Sequence, residues 1–228
     1  MSTIKNALDN VQQRIIQAAQ HYHRDPHVIQ LLAVSKTHPI EKIEEAIQWG
    51  QKCFGESYLQ DALPKIQALQ IYPDLEWHFI GAIQSNKTQA IAEHFSWVHS
   101  VANLKHAKRL NQQRPLSLPP LNICIQVNIS QEAQKSGISL EDLSTLADEI
   151  TDLSHLKLRG LMVLPAKQQD FLQQRIPFKK LRQAYESLQK NGLTLDTLSM
   201  GMTNDMEAAI AEGSTLVRVG TGIFGQRR

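Results

Sequence analysis

The sequence predicts an α/β protein folded as a single closed (β/α)8 barrel. Short β-rich segments alternate with longer segments of helical periodicity, which is typical of parallel strands joined by crossover helices. Eight such strand-like segments occur, and 228 residues lie at the small end of the size range of this barrel. An open doubly wound sheet is the alternative, but no G-x-G-x-x-G motif follows the first strand, which weakens a dinucleotide-binding interpretation.

The chain opens with an extra helix, because apolar residues recur at helical spacing from Ile4 to Ala18. The eight strands are predicted at residues 28–36, 52–57, 76–83, 96–101, 121–129, 156–164, 196–201 and 216–225. Helical patterns separate them at residues 40–50, 59–70, 103–113, 139–150, 174–192 and 203–213. The segment 165–177 is predicted to be a surface loop and a helix start. No stretch has the composition of a linker, so we expect one domain spanning residues 1–228.

The composition favours a small-molecule partner. Hydrophobic residues make up 42% and charged residues 20% of the chain, and the net charge of +2 comes from interspersed acidic and basic residues. Without a one-sided basic block, binding to nucleic acid is not expected. No apolar stretch approaches the ~20 residues that span a bilayer, and the opening helix lacks the apolar block of a signal peptide. We therefore expect a cytoplasmic location and no membrane association.

The two cysteines, Cys53 and Cys124, each lie inside an apolar strand-like segment. Two isolated cysteines make neither a disulfide framework nor a cysteine-based metal motif. The sequence therefore predicts buried thiols in a reducing compartment and no metal site.

The apolar run "LLAVSK" ends in Lys36, a residue type that is rarely buried without a partner. In one interpretation the strand has reached the surface and Lys36 is solvated. In the other, the amine lies at the mouth of a dry pocket, loses its proton more easily and can attack a carbonyl group. The carboxyl ends of barrel strands form the active site, so the position of Lys36 fits the second interpretation.

The last two strand ends predict a phosphate site. "LSMGMTND" supplies Ser199, Gly201 and a helix start, and "VRVGTGIFG" supplies Gly220 and Thr221. Barrels often bind phosphate with the loops after strands seven and eight, where hydroxyl groups, close-approach glycines and free helix N–H groups favour an anion. Alternatively, these glycines serve only barrel closure and tight turns.

Arg218 lies two residues before Gly220 and faces the same side of the strand. It could bind the phosphate, face another acceptor on the same ligand, or form a salt bridge with Glu56 or another carboxylate. An amine opposite a phosphate site fits two ligand classes, a sugar phosphate in a class I aldolase and pyridoxal phosphate. Arg218 favours the second, because a guanidinium that stays protonated would keep a pyridine nitrogen unprotonated.

Seven segments, in this order, resemble the pyridoxal phosphate homeostasis proteins, from about residue 28 to the end of the chain. The closing stretch of 30 residues is the most specific of them. The segments are "AVSKTHP", "FGESYLQDALPK", "WHFIGAIQSNK", "VHSV", "IQVNISQEAQKSGI", "LRGLMVLP" and "LSMGMTNDMEAAIAEGSTLVRVGTGIFGQR".

The resemblance implies a barrel like the N-terminal domain of bacterial alanine racemase, with pyridoxal 5'-phosphate as cofactor. By that similarity Lys36 holds the cofactor as a Schiff base, and Arg218 faces its pyridine nitrogen. The phosphate would be held by the four residues of the last two strand ends, Ser199, Gly201, Gly220 and Thr221. One difference is visible, because the family usually has "FGEN" where this chain has "FGES", with the shorter Ser57.

The resemblance also implies a carrier or regulator of vitamin B6 that affects amino-acid pools, without an assigned reaction. A racemase needs two bases, and the second comes from an additional C-terminal domain that we do not expect here. A base within the barrel, such as His78 or Lys135, is the remaining possibility. The sequence context instead favours a core position for His78 and a solvated position for the Lys135 side chain. We expect a monomer that buffers or delivers the cofactor through transient contact with apo-enzymes; the alternative is a racemase or lyase of low activity.

Overall fold

A closed barrel of eight parallel strands forms the centre of the protein, in a computed structural model that describes residues 3–130 and 136–226. The strands are β1 (Gln30–Val34), β2 (Cys53–Glu56), β3 (Glu76–Phe79), β4 (Trp97–Val101), β5 (Leu121–Gln126), β6 (Leu156–Met162), β7 (Thr197–Ser199) and β8 (Leu216–Val219). Each strand pairs with the next one along the chain, and β8 pairs with β1. This topology confirms the predicted (β/α)8 barrel.

Helices connect the strands around the outside of the barrel. They are α1 (Ile4–His21), α2 (Ile40–Gln48), α3 (Leu59–Ala68), α4 (Thr88–His94), α5 (Leu104–Gln113), α6 (Leu143–Thr151), α7 (Phe171–Lys190), α8 (Met206–Ala211) and α9 (Thr221–Phe224). The extra helix α1 begins at a cap in which Thr3 Oγ1 accepts the N–H of Asn6, and it packs against α2, α8 and α9. Among the described residues, no helix has the length and apolar content needed to cross a membrane.

The core follows from the period-2 geometry of strands and the amphipathic pattern of the helices. All five residues of β4 are buried, as expected for a parallel strand covered on both faces. On α1, every third or fourth residue is buried, with Val11 and Ile15 nearly inaccessible to solvent. The hydrophobic effect therefore drives both the closure of the barrel and the docking of its helices.

Most strands end earlier than the sequence predicts, and the eighth differs most. The run 216–225 was predicted as one strand, but β8 ends at Val219 and α9 follows it. The N–H groups of Ile223 and Phe224 both bond to Gly220 O, three and four residues earlier, which is a helical hydrogen-bond pattern. The apolar end of this segment is therefore a short helix.

Candidate functional site

A cavity of about 660 Å³ opens at the carboxyl ends of the strands, where the barrel fold places its active sites. Four apolar side chains, Val34, Ile80, Met162 and Leu164, form part of its wall. Its polar lining comes from Arg218 within β8 and from the segments that follow β1, β6, β7 and β8: Lys36, Lys167, Gln168, Gln169, Gln174, Thr203, Asn204, Asp205 and Thr221. Four of the six cofactor residues that the sequence predicts, Lys36, Arg218, Gly220 and Thr221, thus line one cavity.

Lys36 lies two residues beyond the end of β1 and is partly buried at the edge of the cavity. Its Nζ donates a hydrogen bond to Ser57 Oγ at 3.1 Å. Ser57 follows β2, so two neighbouring strand ends position the amine. The serine that distinguishes this chain from the usual "FGEN" pattern is therefore in direct contact with the candidate nucleophile.

The turn after Lys36 has an unusual backbone conformation. Thr37 has a φ of 66°, in the left-handed region that β-branched residues rarely adopt. Its N–H donates to Asp61 Oδ2 at 2.7 Å, and Asp61 accepts a further hydrogen bond of 2.7 Å from Lys65 Nζ. The strained turn is thus held by a carboxylate on α3, and it fixes the direction in which the Lys36 side chain leaves the barrel.

A buried ion pair lies directly beneath this turn. Lys65 Nζ contacts Glu56 Oε1 at 3.0 Å, and the Ser35 hydroxyl donates to the same oxygen at 2.6 Å. Burial raises the pKa of Glu56, and the nearby charge of Lys65 opposes this shift only in part. Because Glu56 pairs with Lys65, the salt bridge to Arg218 that the sequence left open does not form.

Arg218 lies at the base of the cavity, and three hydrogen bonds hold its guanidinium group. Nη1 donates to the main-chain oxygen and the hydroxyl of Ser199, both at 2.6 Å, and Nη2 donates to Val163 O at 2.8 Å. Burial lowers the pKa of Arg218 to about 10, and the nearby Asp205 opposes this effect. The group is therefore a cation with a fixed orientation, held by neutral acceptors.

Ser199 and Gly201 differ from the other predicted residues because neither lines the cavity. Ser199 is fully buried at the end of β7, where its hydroxyl accepts from Arg218 and lies 2.8 Å from Nδ1 of His99. Gly201 has a φ of 95°, and a Cβ at this position would lie 2.6 Å from the Cβ of Ala209. Gly201 thus shapes the loop between β7 and α8, and its carbonyl accepts the N–H of Arg218.

After β8 ends, the main chain at Gly220 and the first residue of α9 line the cavity. A Cβ at Gly220 would lie 3.2 Å from Val34 O, so this position has little room for a side chain. The first N–H groups of a helix have no partner within that helix. In α9, Ile223 and Phe224 donate to Gly220 O, and the helix begins with the N–H groups of Thr221 and Gly222. The Thr221 hydroxyl beside them lies 3.3 Å from the hydroxyl of Thr203.

Seven of the ten described polar residues that line the cavity were missed by the sequence analysis, among them Lys167, Thr203 and Asp205. Lys167 belongs to the loop after β6, which was predicted only as a surface loop, and Thr203 and Asp205 belong to the loop after β7. Arg14 on α1 donates to Thr203 O at 2.8 Å, and Asp205 Oδ1 accepts the N–H of Met202. Burial raises the pKa of Asp205. Lys167, Thr203 and Asp205 all follow a strand end, which is the feature of the sequence that could have indicated a role in the site. A position after a strand end does not by itself distinguish a residue of the cavity wall from a residue of a solvated loop.

His78, another sequence candidate, does not line the cavity. His78 is fully buried inside the barrel, and its Nδ1 is 2.9 Å from Nε2 of His99, in agreement with the prediction of a core histidine. Lys135 lies outside the described residues.

Comparison with known proteins agrees with this architecture. Residues 7–228 match the family model for the alanine racemase N-terminal domain. The pyridoxal phosphate homeostasis protein of Pseudomonas aeruginosa is 54% identical over 227 residues, which cover 100% of this chain and 97% of that protein. The structure of PipY from Synechococcus elongatus with pyridoxal phosphate bound matches with a TM-score of 0.86 and 35% identity, covering 98% of this chain and 100% of PipY.

A more distant match defines the fold. Alanine racemase from Corynebacterium glutamicum has a TM-score of 0.73 at 16% identity, and the match covers 97% of this chain but 62% of the racemase. The barrel is thus of the alanine racemase N-terminal type. Within that class, the chain belongs to the family of pyridoxal phosphate homeostasis proteins.

Proposed function

We propose that this protein binds pyridoxal 5'-phosphate reversibly at Lys36 and buffers or delivers it to other proteins. The observation that carries this proposal is that a lysine amine and a glycine-flanked helix start line the same cavity, with Arg218 at its base. When bound, the cofactor would supply an aldehyde group that can condense reversibly with a lysine amine and release water. The relatives' name and the cofactor in PipY support the same ligand.

The residues of the cavity fit the two ends of this ligand. Ser57 holds the Lys36 amine at the edge of the cavity, and the fixed turn at Thr37 limits its motion. At the other end, the close approach at Gly220, the N–H groups that begin α9 and the Thr221 hydroxyl suit a phosphate group. Lys36, Lys167 and Arg218 add positive charge, which the single carboxylate of Asp205 offsets only in part.

Arg218 would face the ring nitrogen of the cofactor. A guanidinium offers only donors, so a ring nitrogen that meets it has to stay unprotonated and accept. The three hydrogen bonds to Ser199 and Val163 keep the group in place without a carboxylate partner. Ser199 would act by holding Arg218, and Gly201 would act by holding the loop.

The lining of the cavity supports binding over catalysis. Among the described residues, no histidine, cysteine or tyrosine lines it, and its carboxylate, Asp205, is already bonded to the N–H of Met202. A racemase needs positioned bases on two faces of a carbon atom. Among the described lining residues, Lys36 is assigned to the cofactor, which leaves Lys167 as the other amine. We therefore propose a non-enzymatic, monomeric, cytoplasmic carrier that meets PLP-dependent apo-enzymes transiently.

The decisive experiment is to add pyridoxal phosphate to purified protein, record the visible spectrum and reduce the mixture with borohydride. We expect an absorption band that disappears on reduction, and mass mapping should then place one cofactor on the peptide that contains Lys36. Lys36→Ala should abolish the fixed adduct. Lys167→Ala is the matched control, because Lys167 lines the same cavity, and it should weaken binding while leaving the adduct at position 36.

Two results would contradict the proposal. A protein that acquires no band and no adduct would show that Lys36 is a solvated strand end. Sustained turnover of an amino acid by the purified protein, lost in Lys36→Ala, would show an enzyme in place of a carrier.

A further inference from the structure

Three metal-binding side chains converge at the end of the barrel opposite to the cofactor cavity. Cys53 is the first residue of β2, Glu76 is the first residue of β3, and the two are partners in the parallel register. His78 lies two residues after Glu76 and therefore faces the same side of the sheet. Among the described residues, one ligand atom from each of these three side chains lies within 4.8 Å of the other two.

Two of the three distances between these atoms match the edges of a metal tetrahedron, and the third is within 4.8 Å. Cys53 Sγ lies 3.7 Å from Glu76 Oε2, and His78 Nε2 lies 3.5 Å from the same oxygen. Bond lengths to zinc of about 2.3 Å for sulfur and about 2.1 Å for nitrogen and oxygen give tetrahedral edges of roughly 3.6 Å and 3.4 Å. A single ion could therefore contact these atoms with little rearrangement of the side chains.

The imidazole of His78 supplies an independent indication of a ligand. The ring is fully buried, and among the described residues its Nε2 atom has no hydrogen-bond partner. The 3.5 Å distance to Glu76 is too long for a good hydrogen bond. A buried polar atom without a partner is costly, and a metal ion in this position would satisfy it.

The surroundings of the three side chains resemble the outer shell of a metal site. Nδ1 of His78 is 2.9 Å from Nε2 of His99, and an imidazole ligand usually donates from its second nitrogen in this way. The Gln30 side-chain amide donates to Cys53 Sγ at 3.0 Å, a hydrogen bond that a metal-bound thiolate would also accept, while the Cys53 thiol itself donates to Glu76 Oε2. The nearby cations already have partners: Lys52 is paired with Asp74 and Arg159 with Asp196.

The geometry points to a binding site for a divalent transition-metal ion of the zinc class, held by Cys53 Sγ, a carboxylate oxygen of Glu76 and His78 Nε2. On binding, the S–H bond of Cys53 breaks, the proton leaves to solvent and a sulfur–metal bond forms. The thiolate and the carboxylate then balance the two positive charges of the ion. The fourth position is open to water, and Glu76, which is 48% exposed, lies on the route of entry.

The absence of a cysteine pair led the sequence analysis to expect no metal site. The ligands come instead from the aligned starts of two neighbouring strands, a relation that appears only when β2 and β3 pair in this register. The site uses none of the residues proposed for the cofactor, so it can be tested separately.

The experiment is a titration of tag-free, full-length protein with Co²⁺, followed by equilibrium dialysis with Zn²⁺. We expect one ion per chain and a thiolate-to-cobalt charge-transfer band, which Zn²⁺ displaces. Cys53→Ala should remove the band and weaken zinc binding about tenfold or more. Glu76→Gln, which changes a half-exposed side chain, should weaken binding without disturbing the fold.

Cys124→Ala is the matched control, because Cys124 is the second buried thiol and lies outside the three-residue cluster. It should retain the band and the affinity of the unmodified chain. The proposal is overturned if the unmodified protein retains no ion in dialysis. It is equally overturned if the band persists in Cys53→Ala or disappears in Cys124→Ala.

Discussion

At the scale of single residues, Lys65 forms a buried ion pair with Glu56 beneath the turn that follows Lys36. The side chains of Lys65 and Glu56 are 4% and 0% exposed, and they form an ion pair under the turn that orients the candidate nucleophile. Breaking a buried pair leaves the other charge without compensation, which is far more costly than the loss of a surface pair.

Lys65→Ala should therefore lower the free energy of unfolding by about 3–5 kcal/mol, as measured by denaturant titration. Lys52→Ala is the control, because Lys52 pairs with Asp74 on the surface and its loss should change stability little. Equal effects of the two substitutions would contradict the importance of the buried pair.

The raised pKa of Glu56 predicts the direction in which the stability of the fold changes with pH. Burial raises its pKa above the ordinary value of 4.5, so the folded chain retains a proton that the unfolded chain has released. This contribution of Glu56 to the free energy of unfolding is complete below pH 4.5 and is lost as the pH rises through the raised pKa of the folded chain. Each tenfold difference in the acid constant between the folded and unfolded chains corresponds to about 1.4 kcal/mol.

Glu56→Gln cannot titrate, so unfolding curves of the two proteins at several pH values isolate this contribution. The unmodified protein should lose stability relative to Glu56→Gln as the pH rises above 4.5. A difference that is constant with pH, or that changes in the opposite direction, would show that Glu56 ionises normally.

At the scale of elements, the loop between β7 and α8 depends on one glycine. Gly201 combines a φ of 95° with a lack of space for a Cβ. Gly192, at the end of α7, has a φ of 97°, but a Cβ there would meet nothing within 4 Å. A comparison of substitutions at Gly192 and Gly201 therefore separates the cost of backbone strain from the cost of a steric clash.

Gly192→Ala should cost about 1–2 kcal/mol of stability through backbone strain alone and leave cofactor affinity unchanged. Gly201→Ala should cost more, because its Cβ collides with Ala209, and it should also weaken cofactor binding by displacing Thr203 and Asp205. Unfolding titrations and spectroscopic cofactor titrations measure the two effects. Unchanged affinity in Gly201→Ala would remove this loop from the proposed site.

At the scale of the whole molecule, burial controls the chemistry of both thiols. Cys53 and Cys124 are buried, and desolvation raises the pKa of each to about 12. Because the thiolate is the reactive form, the folded chain should react slowly with thiol reagents.

Global unfolding should expose both thiols together, so the reaction with a chromogenic disulfide should accelerate with denaturant along the unfolding transition. The measurement is the absorbance of the released chromophore over time at increasing urea concentration. Rapid modification of one thiol in the native protein would indicate local opening of β2 or β5.

The periodic patterns of the chain were sufficient to predict the eight strands, their order and the extra helix α1, because burial imposes period 2 on strands and period 3.6 on helices. Lys36 and Arg218 could be placed at the same end of the barrel for a related reason, since parallel strands share one carboxyl edge. Strand ends were less predictable, as the change from β8 to α9 shows, because buried apolar residues continue into the loops.

Only the tertiary structure decided how the side chains at each end of the barrel meet. It placed Ser199 beneath Arg218 and outside the cavity, and it brought Lys167 and Asp205 into the cavity wall. It also aligned Cys53 with Glu76 across two strands. Local sequence determines which segments are strands and helices, whereas register, barrel closure and loop path determine which distant side chains touch, and these depend on packing throughout the molecule.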